Sequence, residues 1–288
     1  MPGSLLCLAS AAAFGSMAIF GKLAYDEGAT VGTLLATRFV LAAALFWLLA
    51  LGCLRGLRRR DVALALALGA VGYGAQAGGY FTALERLDAS LLSLLVYTYP
   101  VIVTVAAVAL GRETGSRCTA LALVLASSGL VLVLAGASAG ALDPVGTALA
   151  LGTAIVYSAY ILVSQGVAAR VGPLALGALV CTGAAGSLTL GAAAAGDLHP
   201  AAVSAAGFGW LGGLAAVSTV AAIALFFAGL RSAGPTAASI LSTLEPVVTV
   251  ALAFLAFGES LGGAQLAGGA LVLMAVLAVR NPNPKEAR

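Results

Sequence analysis

The chain has 288 residues, of which 61% are hydrophobic and only 9% are charged, and its mean hydropathy is +1.09. A soluble domain could not bury so much apolar surface, so the composition excludes a water-soluble protein and predicts an all-α polytopic membrane protein. The formal net charge of +3 gives no support for nucleic-acid binding.

Apolar runs bounded by charged or Gly/Pro-rich points divide the chain into ten segments of membrane-spanning length. The first half holds segments near residues 4–25, 30–52, 61–84, 88–111 and 116–135. The second half holds segments near 144–167, 172–195, 204–230, 234–257 and 262–280. The first segment lacks a basic n-region and is too long for a signal peptide, so we expect a retained span.

The fourth segment, SLLSLLVYTYPVIVTVAAVALGRE (90–113), occurs again as TAASILSTLEPVVTVALAFLAFGE (236–259). An offset of 146 residues (246 minus 100) pairs Ser93 with Ser239, Pro100 with Pro246 and Glu113 with Glu259. Five segments per half is an odd number, so the second copy must cross the membrane in the opposite sense. We therefore predict ten transmembrane helices as two inverted five-helix repeats, 1–135 and 144–281, with a linker at 136–143 and a cytoplasmic tail at 282–288.

The basic residues are distributed asymmetrically between the loops. When the N-terminus is placed in the cytoplasm, 11 of the 14 lie on the cytoplasmic side: Arg55, Arg58, Arg59, Arg60, Arg112, Arg117, Arg170, Arg231, Arg280, Lys285 and Arg288. The opposite side carries Asp26, Glu27, Glu85, Asp88, Asp143, Asp197 and Glu259. Because positively charged loops remain in the cytoplasm, we expect both termini there, in a bacterial inner membrane.

Each copy of the repeated segment has a proline at its centre. Pro100 and Pro246 remove the hydrogen bonds to the carbonyls four residues earlier, those of Val96 and Ser242. Backbone left open at this depth must meet protein, water or ligand. The two prolines are therefore candidate hinges at a midplane binding site, although they would also suit helices kinked only for packing.

The residues before the two prolines, Tyr99 and Glu245, occupy equivalent places in the repeats and are expected to face a shared cavity. A carboxylate at the bilayer centre costs about 3 kcal/mol, so Glu245 is the leading functional candidate. It could contact a substrate amino group, act as a protonatable switch or gate, or form a structural ion pair with Arg38. The last is compatible with the expected depths of the two residues, about 12 Å for Arg38 and about 18 Å for Glu245.

Further candidates for the cavity wall are aromatic or polar. On the third segment Tyr73, Gln76 and Tyr80 share one helix face. Gly74 and Gly78 on the same segment form a GxxxG pattern that favours close helix packing. The sixth segment carries Tyr157, Tyr160 and Ser164, and Tyr97 and Trp210 complete the aromatic set. These side chains could stack a planar ligand, or they could belong to the interfacial aromatic belt and to packing.

Motifs for cofactor chemistry are absent from the sequence. The four cysteines are widely separated, and His199 is expected to be a surface residue. The sequence contains no nucleotide-binding loop, metal-ligand cluster or catalytic triad, so we expect no cofactor and no metal.

The chain resembles the ten-helix EamA type of the drug/metabolite transporter superfamily. The resemblance rests on the paired LxxxxPV segments (95–101 and 241–247), on GRE at 111–113 and GES at 258–260, on TRFVLAAALF at 37–46 and on QLAGGALVL at 265–273. It implies two five-helix repeats around a central cavity and alternating access. Several bacterial members of the family export amino acids, and the YddG-like branch handles aromatic ones, which favours that branch.

We accordingly expect a transporter that exports small metabolites, with amino acids favoured. A proton-coupled antiporter for lipophilic cations is the alternative within transport. A membrane-embedded lipid enzyme would need clustered His, Asp or Ser residues, and a structural or receptor role would leave the midplane prolines and Glu245 unexplained. The expected partners are a small-molecule substrate and the lipid bilayer. One chain supplies both halves of the cavity, so a monomer suffices.

Overall fold

The computed structural model describes residues 3–51, 57–84, 86–87, 89–134, 143–257 and 262–280, which are helices and short connections with no strand among them. Several residues used in the sequence predictions lie outside this description: Cys53, Arg55, Glu85, Asp88, Glu259, Lys285 and Arg288, together with linker residues 136–142 and the tail.

Five spans make up the first half of the chain. Span 1 consists of α1 (Gly3–Gly15) and α2 (Met17–Asp26), and span 2 is α3 (Val31–Ala50). Span 3 runs from α4 (Arg59–Ala67) through a π-helical segment (Leu68–Tyr73) into α5 (Gly74–Leu84). Span 4 is broken into α6 (Ala89–Val96) and α7 (Tyr99–Ala109), and span 5 is α8 (Arg117–Leu134).

The second half has the same order. Spans 6 and 7 are α9 (Pro144–Val171) and α10 (Pro173–Ala194). After a short 3-10 turn at Pro200–Ala202, span 8 runs from α11 (Ala205–Ala215) through a second π-helical segment (Ala216–Ala221) into α12 (Ala222–Ala233). Span 9 is broken into α13 (Pro235–Leu241) and α14 (Leu244–Phe257), and span 10 is α15 (Gly263–Arg280).

The predicted all-α polytopic membrane class is confirmed. Within the described residues, nine helices are long and apolar enough to cross a membrane, and Gly263–Val279 is a shorter apolar helix. The ten segments read from the sequence therefore correspond to the ten spans, and their ends agree within a few residues.

Local sequence signals explain where the spans begin. Asp143 caps α9 by accepting a 2.6 Å hydrogen bond from the N–H of Gly146, and Thr30 and Ser204 cap α3 and α11 in the same way. Gly172 and Gly234 have φ angles of +87° and +84°, and each is followed by a proline at the start of the next span. These Gly-Pro pairs allow spans 6 and 7, and spans 8 and 9, to connect without a loop.

Helix packing repeats itself between the halves. Span 1 packs on span 8 as span 3 packs on span 6, and span 1 also packs on span 9 as span 6 packs on span 4. Span 2 packs most extensively on span 7, and span 5 on span 10. These pairings are those expected when spans 1 to 5 correspond to spans 6 to 10 about a two-fold axis.

The GxxxG prediction on span 3 needs a correction. A side chain at Gly78 would meet open space, and one at Gly74 would touch only the flexible Ser187 side chain. The close backbone approach is instead at Gly69, which packs against the carbonyl of Val180 on span 7. Gly79 packs against Thr153 on span 6, so a different pair of glycines allows span 3 to approach its neighbours closely.

Candidate functional site

A continuous row of aromatic rings crosses the middle of the bundle and joins both repeats. The tyrosine row comprises Tyr97, Tyr99, Tyr157, Tyr160 and Tyr73, in that order, and Phe39 extends it. Successive ring centroids are 5.7, 4.7, 6.1, 6.1 and 4.9 Å apart. These are the spacings of edge-to-face and stacked aromatic pairs, so the row forms one packed aromatic wall.

Three different local structures position the tyrosine row. Tyr97 and Tyr99 flank Thr98 at the break of span 4. Tyr157 and Tyr160 lie three residues apart on one face of α9, and their rings stack at an interplanar angle of 17°. Tyr73 is the last residue of the first π-helical segment. The break and the π segment both displace side chains from a regular helical register, which allows rings from spans 3, 4 and 6 to meet.

Glu245 lies at one end of the tyrosine row. It is the second residue of α14, directly after the break in span 9, and it is partly buried. The hydroxyl of Tyr97 lies beside its carboxylate, and Arg38 acts on it electrostatically. The site therefore presents a carboxylate, flanked by a hydroxyl and aromatic rings, at the midplane of the bundle.

Arg38 lies at the other end and is 4% exposed. Its Nε donates to Oγ1 of Thr219 at 2.7 Å, and one terminal nitrogen donates to the carbonyl of Ser218 at 3.4 Å. The guanidinium also contacts Sδ of Met17 at 2.9 Å and the hydroxyl of Tyr73. Arg38 thus joins the π segment of span 3 to the π segment of span 8.

The structural ion pair between Arg38 and Glu245, one of the alternatives from the sequence, is not formed. Among the described residues, ion pairs join Arg86 to Asp143 and Arg170 to Asp61, and none joins Arg38 to Glu245. The guanidinium is occupied by π-segment groups, and the carboxylate faces Tyr97. The two charges therefore define opposite ends of one site.

The two π-helical segments are structural features beside the site that the sequence reasoning missed. At the offset of 146 residues, Leu68–Tyr73 corresponds to residues 214–219, so the second segment, Ala216–Ala221, begins two residues later. Both segments contain a side chain that contacts Arg38. In the second, the hydroxyl of Thr219 donates to the carbonyl of Leu214 five residues earlier. π-Helical turns inside α-helices are frequent at functional sites. The repeat offset indicated that these spans correspond, but no residue pattern in the sequence predicted a π-helical segment in either of them.

The breaks in spans 4 and 9 lie just before the prolines, as the hinge prediction requires, but they differ by one residue in register. In span 4 the N–H of Tyr97 still donates to the carbonyl of Ser93, four residues earlier, at 2.8 Å. In span 9 the equivalent N–H, of Thr243, donates instead to Ile240, three residues earlier, at 3.1 Å. The Ser242 carbonyl, expected to be open, accepts the N–H of Glu245 at 3.0 Å.

Because the N–H of Thr243 donates to Ile240, the carbonyl of Ser239 has no N–H donor among the described residues of its own helix. It accepts a hydrogen bond from the hydroxyl of Tyr99 at 3.4 Å, which joins span 4 to span 9. The hydroxyl also lies beside Ser242. A side chain of the first repeat thus satisfies backbone that the break of the second repeat has opened.

Spans 4 and 9 converge toward one end of the bundle. That end, where span 1 begins, is called the N-terminal face below. There α7 packs on α13, Arg112 donates to the carbonyl of Leu162 at 2.7 Å, and the N–H of Thr236 donates to Glu113 at 3.5 Å. In the other half α6 packs mainly on α9 and α14 mainly on α1, and these described helices make no comparable contact with each other. The structure is therefore closed at the N-terminal face between spans 4 and 9.

Of the remaining candidates, Tyr80, Gln76 and the two prolines lie near this site, whereas Trp210 lies away from it. Tyr80 is partly buried on α5 with its hydroxyl beside Ser93, and Gln76 is half-buried on the same helix. Pro100 and Pro246 are the second and third residues of α7 and α14. Trp210 is 38% exposed and packs on Phe20, with ring centroids 6.4 Å apart, so the structure does not bring it to the tyrosine row.

A membrane bundle of two corresponding halves, with broken helices and a charged midplane site between them, is the architecture of a secondary transporter. The sequence model of the EamA-like transporter family matches residues 1–135 and again residues 144–280. The chain belongs to the EamA-like transporter family, and it is a membrane transporter of the drug/metabolite type.

Two individual proteins show the same relationship. "Uncharacterized transporter YcbK" of Bacillus subtilis (strain 168) is 27% identical over 276 residues, which is 92% of this chain and 88% of that protein. A protein of known crystal structure has the same fold, with a TM-score of 0.82 at 18% identity, over 96% of this chain and 95% of that one. The family and the relative point to transport rather than to enzymatic activity.

Proposed function

We propose that this transporter exports small metabolites, amino acids in particular, from the cytoplasm by alternating access through the midplane site. Aromatic amino acids are the favoured substrates. The N-terminal face is proposed to be the cytoplasmic face of a bacterial inner membrane, because the basic residues cluster in the loops on that side.

The arrangement of Glu245 beside the tyrosine row supports this substrate class. The carboxylate, with the Tyr97 hydroxyl next to it, suits the ammonium group of an amino acid. The rings of Tyr99 and Tyr157, 4.7 Å apart and tilted by 68°, offer edges and faces on which a planar side chain could stack. The positive charge of Arg38 would favour the substrate carboxylate from the far end of the row.

Efflux from proteoliposomes tests the proposal. Purified protein would be reconstituted with radiolabelled phenylalanine or tryptophan inside, and efflux would be compared between the wild type and the Glu245→Gln variant. Glu27→Gln is the matched control, because Glu27 lies in the loop between spans 1 and 2 and is bonded to Ser204. We expect substrate-dependent efflux for the wild type and the control, and at least a tenfold weaker apparent affinity for Glu245→Gln, the loss of about 1.4 kcal/mol.

The same acid supports an alternative, a proton-coupled antiporter for lipophilic cations. A carboxylate beside aromatic faces also suits an organic cation without a carboxylate. Absence of efflux for every amino acid tested, together with proton-linked movement of tetraphenylphosphonium, would overturn the amino-acid proposal in favour of this one. Efflux of phenylalanine that competes with leucine but not with tetraphenylphosphonium would exclude the alternative.

A further inference from the structure

The contact between Tyr99 and Ser239 has a counterpart that the repeat symmetry defines. At the offset of 146 residues, Tyr99 corresponds to Glu245 and Ser239 corresponds to Ser93. In this structure the first of these contacts is made, because the Tyr99 hydroxyl donates to the Ser239 carbonyl at 3.4 Å. Exchanging the repeats gives a contact between the side chain of Glu245 and the carbonyl of Ser93.

The backbone turns before the two prolines already differ in the way this exchange requires. The N–H of Thr243 donates to the carbonyl of Ile240 and not to that of Ser239. The Ser239 carbonyl accepts a hydrogen bond from the Tyr99 hydroxyl instead. The Ser93 carbonyl, in contrast, still accepts the N–H of Tyr97 at 2.8 Å. In an inverted-repeat transporter the two access states are related by exchanging the conformations of the repeats. In the exchanged state Ser93 would be the open carbonyl.

The two side chains differ in whether they carry a proton to donate. A tyrosine hydroxyl is protonated at physiological pH, whereas a glutamate carboxylate has no proton and only accepts hydrogen bonds. An ionised Glu245 would therefore face the Ser93 carbonyl oxygen with two acceptors opposed, whereas a protonated Glu245 would donate to it. Resting on the proposed transport function, we propose that the state closed at the opposite face forms only when Glu245 is protonated and donates to the carbonyl of Ser93, which makes the exporter a proton antiporter.

Arg38 is a cation that opposes protonation of Glu245. Arg38, from α3, acts on the carboxylate together with the Tyr97 hydroxyl. The side chains of Tyr73, Tyr80, Tyr99 and Tyr157 also lie near it. The helices packed on α14 are α1, α2, α8 and α15. Their titratable residues are Cys7, Lys22, Tyr25, Asp26, Arg117, Cys118 and Arg280.

The proton cycle balances with one proton for each substrate. In the present state spans 4 and 9 are closed at the N-terminal face, and Glu245 takes up a proton from the opposite side after the substrate has left. The neutral acid then bonds Ser93, which closes that side and opens the N-terminal face. There the carboxyl loses its proton to the cytoplasm, and the ammonium group of the next substrate takes its place as the positive partner. The ionised carboxylate no longer donates to the Ser93 carbonyl, so the opposite side reopens, the present state forms again and the substrate leaves.

The closure can be followed without substrate, by electron–electron distance measurement between spin labels. One label would be placed at Thr82 on α5 and the other at Ala264 on α15, both exposed and both on the side opposite to the N-terminal face, in a chain without native cysteines. In the wild type we expect a long distance at alkaline pH and a shorter, closed distance to appear at mildly acidic pH. Glu245→Gln, whose amide is a permanent donor, should populate the closed distance at every pH.

Tyr99→Phe is the complementary variant, because it removes the hydroxyl that holds the present state. It should raise the closed population at the opposite face while keeping the pH dependence of the wild type. Distances that are independent of pH in the wild type, or a Glu245→Gln variant that stays at the long distance, would overturn the proposal. A protein that shows the pH-driven closure but exports no amino acid would instead overturn the proposed substrate, so the two failures are distinguishable.

Discussion

The Nε of Arg38 donates a 2.7 Å hydrogen bond to Oγ1 of Thr219, and the Thr219 hydroxyl donates in turn to the carbonyl of Leu214 at 3.0 Å. Thr219 lies in the π segment of span 8, and Tyr73 in the π segment of span 3 contacts the same guanidinium. A buried cation therefore satisfies side chains that two irregular helices bring toward it. Arg38 fixes the relative position of the two repeats next to the site.

The hydroxyl of Thr219 is expected to contribute to stability. Thr219→Val keeps the shape but leaves Arg38 without its closest acceptor, which costs about 1.5–3 kcal/mol for a hydrogen bond to a charged group. Thr219→Ser retains the hydroxyl and serves as the control. Thermal unfolding in detergent should show a clearly lower midpoint for valine than for serine, and equal midpoints would contradict the role assigned to this bond.

The hydroxyl of Tyr97 is expected to matter for substrate affinity. Tyr97→Phe keeps the ring against Tyr99 but removes the group beside Glu245. Loss of one hydrogen bond to a charged group corresponds to roughly a tenfold weaker apparent affinity. Concentration-dependent efflux measures this effect, and Tyr25→Phe, at the exposed end of span 1, is the control. An unchanged affinity for Tyr97→Phe would remove Tyr97 from the site.

Spans 5 and 10 are expected to require glycine where they touch. A Cβ at Gly129 would lie 2.7 Å from the carbonyl oxygen of Gly268, so Gly129→Ala forces the two backbones apart. The expected cost is about 1–3 kcal/mol, as for other overpacked contacts. Gly191→Ala on α10 is the control, because a side chain there meets open space. The midpoints of thermal unfolding of the two variants test this expectation. A Gly129→Ala protein as stable as the control would contradict this packing.

The ion pair between Asp61 and Arg170 joins the ends of spans 3 and 6 at the N-terminal face. The nitrogen–oxygen distance is 2.8 Å, but the Arg170 side chain is 49% exposed. Solvent screening therefore limits the expected coupling free energy to about 1 kcal/mol or less. A double-mutant cycle with Asp61→Asn and Arg170→Gln, measured at low and high salt, should show a coupling that falls as salt is added. A coupling unaffected by salt would show that the pair is effectively buried.

The proposed orientation predicts a pattern of thiol labelling. Cys118 is partly exposed at the start of α8 on the N-terminal face, whereas Cys7 and Cys181 are fully buried. In a Cys53→Ser background, a membrane-impermeant maleimide should label Cys118 in inverted vesicles but not in intact spheroplasts. His199→Cys, exposed in the loop between spans 7 and 8, should show the reverse. Labelling of Cys118 from outside the cell would reverse the assigned orientation in the membrane.

The sequence alone determined the class of the protein, the ten spans, their division into two inverted repeats and the positions of the breaks. These properties follow from hydrophobic length, from the repeated proline segments and from the Gly-Pro and capping residues at the ends of helices, all of which are local in the chain. The choice of Glu245 as the leading candidate residue also came from the sequence, because an ionisable side chain at midplane depth is costly and rare. The tyrosines were candidates because several of them share a helix face or lie beside the prolines.

Only the tertiary structure decided how these residues pair. The one-residue difference between the breaks, the π geometry of spans 3 and 8, the choice of Gly69 and Gly79 over Gly78, and the attachment of Arg38 to Thr219 rather than to Glu245 all depend on which helices face each other. A hydrogen bond or a close packing contact is set by distances between spans that are far apart in sequence. Local patterns carry no information about those distances, and the packed bundle supplies it.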